Sequence, residues 1–208
     1  MTYDPESFRR LQRDGWERVA DRYDSIWASL TTQFVNPLLT AAGVRAGMRL
    51  LDVACGPGYT TAAARRLGAE AVGVDFSHEM IEQARSRNSG IDLFHGDAEN
   101  LPFEPKSFDL VVMNFGLLHL ANPGKGLAEA RRVLRHPGRF GFTVWAKPDE
   151  HILGRIVQQA IETHADPGVS VPEGPASLRY ADPDSCRREL ADAGFSAGSM
   201  TFQTCRAS

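Results

Sequence analysis

The stretch Leu50-Leu51-Asp52-Val53-Ala54-Cys55-Gly56-Pro57-Gly58 decides the fold. Residues 48–54 form an apolar run of strand length, and residues 58–67 follow with helical spacing. Gly56 and Gly58 between them allow a ligand closer to the backbone than a Cβ would. The free N–H groups of the helix start face the same place. Outward from this point the pattern repeats. Strands are expected at 71–74, 91–94, 108–113 and 140–145, and helices at 77–87, with Ser77 as N-cap, and at 123–134. Such alternation implies a Rossmann-like, doubly wound α/β fold, with a mostly parallel sheet, right-handed crossovers and helices on both faces.

Before this region, Phe8, Leu11, Trp16, Val19, Tyr23, Ile26 and Trp27 recur at helical spacing. Pro5 marks the helix start, Gly15 is a candidate break, and Asn36-Pro37 opens a further helix that closes near Gly43. Beyond it, residues 149–164 read as a helix, 165–180 as a loop, 182–194 as a helix and 195–202 as a strand. Three parts are therefore expected: a helical lid (1–45), a cofactor-binding core (46–146), and a lid helix, loop and C-terminal part of the core (147–208).

Two acidic residues sharpen the reading. Asp75 ends the second strand 17 residues after Gly58. A carboxylate there accepts hydrogen bonds from ribose hydroxyls and rejects a 2′-phosphate; its plainer role is to cap the next helix. Asp97, in Gly96-Asp97-Ala98-Glu99, follows the third strand and reaches the carboxyl edge of the sheet, where open α/β folds bind ligands. The glycine loop carries no Lys or Arg, which argues against a Walker-type phosphate loop. Thr61 stands where a dinucleotide loop wants its third glycine.

The segments LLDVACGPGYTT, VGVDFSHEMIEQA, GDAENLPFEPKSFDLVVMNFGLLHL and EARRVLRHPGRFGFTVW together resemble class I S-adenosylmethionine-dependent methyltransferases, specifically the UbiE-like, type 11 branch. The resemblance implies S-adenosylmethionine as cofactor and S-adenosylhomocysteine as product. It implies that Asp52 and the backbone of Ala54, Cys55, Gly56, Pro57 and Gly58 surround the methionine part. Asp75 would hold the ribose, with Phe76 and Met80 beside the adenine. Asp97, Ala98 and Glu99 would line the adenine edge, and Asn114 and Phe115 would lie under the reacting methyl. Tyr23 either closes over the cofactor or packs in a helix stripe. The chain departs from the family at Ala54, which replaces a glycine, and at residues 135–139, which replace a Pro-Gly-Gly turn. It also departs after the fifth strand, where one candidate strand stands for two. A natural chain longer than this one is the expectation.

The acceptor is expected to be a small molecule methylated at carbon or oxygen. The chain has 208 residues, a formal net charge of −3 and a pI of about 6.1, which disfavours long nucleic acid. The Asn/Asp-Pro-Pro-aromatic motif of amino-methyltransferases is absent after the fourth strand. Trp16, Trp27, Phe34 and Trp145 make the lid aromatic. His119 is the candidate base, needed only if the acceptor must lose a proton. No histidine spacing suggests a metal. The first thirty residues, with five Arg and six acidic residues, hold neither a basic arm nor a signal peptide, and no apolar run could span a membrane. Three widely spaced cysteines point to a reducing cytoplasm. The sequence assigns no oligomeric state. Two other classes stay open: a nucleotide-dependent oxidoreductase and a catalytically idle cofactor-binding module.

Overall fold

The computed structural model describes residues 3–147, 152–164, 166, 172–176, 179–196 and 200–206. Helix α1 (Pro5–Val19) starts where Asp4 accepts from the Glu6 N–H at 3.1 Å and Pro5 needs no donor. Gly15 does not break it. A mid-helix glycine costs only about 1 kcal/mol, and Gln12, Trp16 and Glu17 on either side are held by tertiary contacts.

From Ala20 to Phe34 the chain stays helical but irregular. It passes through a 3₁₀ turn (Ala20–Arg22), a π turn (Asp24–Ala28), one α turn (Ser29–Thr31) and a second 3₁₀ turn (Thr32–Phe34). The Thr31 and Thr32 hydroxyls donate to the carbonyls of Trp27 and Ala28, four residues back. This back-bonding loosens and bends a helix. Regular helix resumes as α2 (Val35–Ala42), one residue before the expected Asn36 start, and ends at Gly43 with φ 76°.

The sheet holds β1 (Arg49–Val53), β2 (Glu70–Asp75), β3 (Asp92–His95), β4 (Phe108–Asn114) and β5 (Leu134–Thr143) in the order β3-β2-β1-β4-β5. Every pairing is parallel. The crossovers include α3 (Tyr59–Arg66), α4 (His78–Arg87) and α5 (Pro123–Val133). Side chains alternate across the sheet with period two. Leu50, Leu110 and Val112 pack against α2 and α3 with Leu39, Ala63 and Ala64. Leu51, Val53, Val111 and Met113 pack on the other face with Leu127, Ala130 and Val133 of α5, joined by Cys186 and Leu190 of α7 (Pro183–Asp192).

Two expectations need correction. The fifth strand begins at Leu134, not residue 140, and ends at Thr143. Phe108 pairs Leu134 and Leu110 pairs Arg139, so residues 135–138 bulge out opposite Asp109 instead of forming a turn before the strand. The Arg135 guanidinium meets the Asp109 carboxylate there at 2.8 Å. Of the expected strand 195–202, the described residues 195, 196 and 200–202 lie in no strand, and 197–199 fall outside the described residues. Helix α6 (Ile152–His164) fills most of the predicted 149–164 helix, whose first three residues are likewise outside.

Candidate active site

Strand order reverses between β1 and β4, and a crevice opens beyond their carboxyl ends. The cleft there encloses about 1030 Å³, its open mouth included. Its floor is Ala54, Cys55, Gly56 and Pro57 after β1, Asp75 and Phe76 after β2, and Asn114, Phe115 and Gly116 after β4. Its roof comes from the N-terminal segment: Trp16, Tyr23, Trp27, Thr31, Thr32 and Val35. Tyr59, Thr60, Met80, Leu118, His119 and Trp145 complete the wall.

The two loop glycines do different work. A Cβ on Gly56 would stand in open space, with nothing within 4 Å. One on Gly58 would press on Asn88 Nδ2 at 2.9 Å and the Ala84 methyl at 3.3 Å, both at the C-terminal end of α4. Gly58 is thus a packing glycine at φ 83°, and only Gly56 borders the cleft. Gly58→Ala is expected to lower stability by about 2 kcal/mol, from left-handed strain and this clash, read from urea unfolding. Unchanged stability would show that α4 moves aside at no cost.

Asp75 is buried and both its oxygens are engaged. Oδ2 accepts from the Gly56 N–H at 2.8 Å and Oδ1 from the Ser77 N–H at 2.9 Å. It shapes the glycine loop and starts α4 while lining the cleft. Burial pushes its carboxyl up to about 6. Asp52 is fully buried at the end of β1 and does not line the cleft. Its Oδ2 accepts from the Thr61 hydroxyl at 2.6 Å, while Oδ1 has no partner. Burial pushes Asp52 up to about 7, and raises the Cys55 thiol well above its ordinary value, so Cys55 is no nucleophile.

Asp97, Ala98 and Glu99 lie outside the cleft lining. Ala98 is buried in the core beside Leu120. Glu99 accepts from Arg9 of α1 at 2.6 Å and from the Asn122 N–H at 2.7 Å. Arg9 Nε stands 3.5 Å from Asp97. The turn after β3 is therefore tied to α1. The chain from Tyr3 through α1 makes further polar contacts with the core. Gln12 Oε1 meets His119 Nδ1 at 2.9 Å, the Tyr3 hydroxyl donates to the Ala121 carbonyl, and Glu17 accepts from the His78 and Glu79 N–H groups at the start of α4. A second clasp joins Asp24 to the Tyr59 hydroxyl at 2.7 Å and to Arg87 at 2.6 Å. These bonds hold the Asp24 carboxyl below its usual range.

His119 lines the cleft, edge-on to Trp16 at 4.9 Å. Burial lowers its pKa to about 4, so it is neutral at neutral pH and a weak base there. Tyr23 lines the roof, and its hydroxyl meets that of Thr31 at 3.0 Å. Phe115 stacks on Trp145 at 4.1 Å with 20° between planes, and Phe34 meets Phe115 edge-on at 5.2 Å. Thr31, Thr32, Tyr59 and Thr60 are lining residues that sequence reasoning missed. Tyr59 was open to discovery as the residue after the glycine loop, whereas Thr31 and Thr32 sit where helical periodicity fails.

The lining fits an S-adenosyl group. Asp75 offers acceptors for hydroxyls, Gly56 leaves backbone uncovered, and no Lys or Arg among the described residues lines the cleft for a pyrophosphate. The unpartnered Asp52 Oδ1 lies just before the loop, outside that lining. No group of His, Cys, Asp and Glu among the described residues is placed to hold a metal, and no helix among them is long and apolar enough to cross a membrane.

Comparison with known proteins agrees with this geometry. The family model for a methyltransferase domain matches residues 51–142. A Thermotoga maritima S-adenosylmethionine-dependent methyltransferase shares the fold, with a TM-score of 0.62 at 24% identity over 87% of this chain and 80% of that one. A demethylmenaquinone methyltransferase of Clavibacter sepedonicus is 38% identical over 135 residues, which are 64% of this chain but 52% of the relative, so the chain spans about half its length. The demethylmenaquinone methyltransferase of Corynebacterium kroppenstedtii is 30% identical over 181 residues, 83% of this chain and 75% of the relative. Identity at that level over three quarters of a relative extends beyond the fold: this chain belongs to the class I S-adenosylmethionine-dependent methyltransferases, in their UbiE-like branch.

Proposed function

We propose that this chain methylates a small, planar, largely apolar acceptor, at a ring carbon or oxygen, in the aromatic half of the cleft. One observation carries the reading. Asp75 and the glycine loop line the same cleft as Trp16, Trp27, Phe115 and Trp145, and no Lys or Arg among the described residues lines it. The relatives named as demethylmenaquinone methyltransferases favour a quinol-like ring and transfer to carbon.

Bound S-adenosylmethionine supplies an electrophilic methyl on a sulfonium. Tyr23, the loop residues Ala54, Cys55, Gly56 and Pro57, and Asp75, Phe76, Met80, Asn114 and Phe115 are the residues proposed to hold it, with Gly58 and Asp52 shaping the loop from outside the lining. Asp97, Ala98 and Glu99 are proposed to act on the adenine side through the turn they form. The chain's own contribution is alignment and exclusion of water, which can supply much of the acceleration in an in-line displacement. His119, neutral and held by Gln12, is proposed to orient the acceptor and to take a proton only from an acidic one. We also propose the three-part organisation read from the sequence (1–45, 46–146 and 147–208), a cytoplasmic location, and no long nucleic acid as partner.

S-adenosylmethionine and S-adenosylhomocysteine are expected to bind, and NAD not to, in calorimetry with all three. NAD binding alone would replace this reading with an oxidoreductase. A radiolabelled methyl-transfer screen over quinols, phenols, sterols, small acids, tRNA and protein extracts then tests the acceptor. Label in tRNA or protein alone would overturn the acceptor class. Tight cofactor binding with no label in any pool would favour an idle binding module.

A further inference from the structure

We infer that Thr143, the last residue of β5, is a positioning residue for the cofactor end of the cleft, although it does not line the cleft itself. The inference rests on the cofactor reading above. Phe115 lines the cleft with φ 57°, a left-handed conformation unfavourable for any residue with a Cβ. Such a conformation persists only where the surroundings impose it.

Thr143 imposes it. Its hydroxyl oxygen accepts from the Phe115 N–H at 2.9 Å, and its single hydroxyl proton goes to Asn114 Oδ1 at 2.7 Å. With Oδ1 so occupied, the Asn114 amide must turn its NH2 the other way. It donates at 3.2 Å to the carbonyl of Thr31 in the irregular roof segment. The Thr31 hydroxyl in turn meets Tyr23. One side chain thereby fixes the Phe115 backbone, the Asn114 amide orientation and the contact between floor and roof. The Phe115 ring stacked on Trp145 gives the strained residue a second hold.

The chemistry is specific to a hydroxyl. Valine has the shape of threonine and suits a strand, but it neither accepts from Phe115 nor donates to Asn114. The loss would leave two polar groups without partners and free the amide to flip. Serine keeps both bonds.

The test is calorimetric binding of S-adenosylhomocysteine to the wild type and to Thr143→Val, Thr143→Ala and Thr143→Ser, with thermal unfolding of each. Val and Ala are expected to weaken binding about tenfold and Ser less than about threefold, with the Val variant lowered in thermal midpoint by its unpaired groups but still folded at the assay temperature. The two hydroxyl-free variants check each other if one of them folds poorly. Wild-type affinity in the folded Val variant, or binding by Ser as weak as by Val, would overturn the inference while leaving the cofactor reading intact. No binding by the wild type would overturn the cofactor reading, and this inference with it.

Discussion

Replacing Asp75 by alanine is expected to raise the dissociation constant for S-adenosylhomocysteine about ten- to a hundredfold. Two losses combine. The carboxylate no longer accepts from ligand hydroxyls, and the Gly56 and Ser77 N–H groups it holds at 2.8 and 2.9 Å lose their partner. The loop that borders the cleft then has no fixed shape. The wild type should show a matching pH dependence. Burial raises the Asp75 carboxyl to about 6, and the ionised form is the better acceptor. Affinity is therefore expected to hold above pH 6 and to fall as pH drops through it, whereas Asp75→Ala should lose this component. Calorimetry at several pH values reads both effects. An unchanged constant in Asp75→Ala would leave Asp75 as a helix and loop cap alone.

The part of the site that the sequence reveals is the part built from contiguous residues. Apolar runs of strand length, the glycine pair and Asp75 lie at fixed offsets, and local physics suffices to place them. Asp97 and Glu99 have the right position along the chain, yet they face Arg9, 90 residues away from Glu99. No local signal in residues 95–99 foretells a guanidinium from another helix. The segment from Ala20 to Phe34 is opaque for a different reason. Its hydroxyls compete with the helix ladder, so side chains such as Thr31 and Thr32 reach the cleft off the 3.6-residue period. The bulge at residues 135–138 shows the third kind of failure. Pro137-Gly138 carries ordinary turn chemistry, but pairing of the flanking residues with β4, and of Arg135 with Asp109, keeps the segment inside the strand.

Asp52→Asn is expected to make the ligand-free protein more stable near pH 8 and to weaken its hold on S-adenosylhomocysteine. Asp52 is fully buried, one oxygen has no partner, and its pKa is raised to about 7 from the ordinary 3.8. In the unfolded chain the carboxyl loses its proton near pH 4, whereas the folded chain keeps it until about pH 7. Between those values the native state binds more protons, so the contribution of Asp52 to stability falls as pH rises and levels off above pH 7. A rise from 3.8 to about 7 corresponds to roughly 4 kcal/mol, an upper figure because the buried site can relax. Asparagine cannot ionise and can still accept from the Thr61 hydroxyl. The difference in unfolding free energy between Asp52→Asn and the wild type should therefore be small at pH 4, grow through pH 5 and 6, and be largest at pH 7 to 8. Urea unfolding of both ligand-free proteins across that range measures it. A difference that stays flat with pH would show that Asp52 is not held protonated by burial. Higher stability together with unimpaired ligand binding would mean that the carboxylate serves neither structure nor cofactor. A buried, half-partnered carboxylate is costly to retain in its charged form.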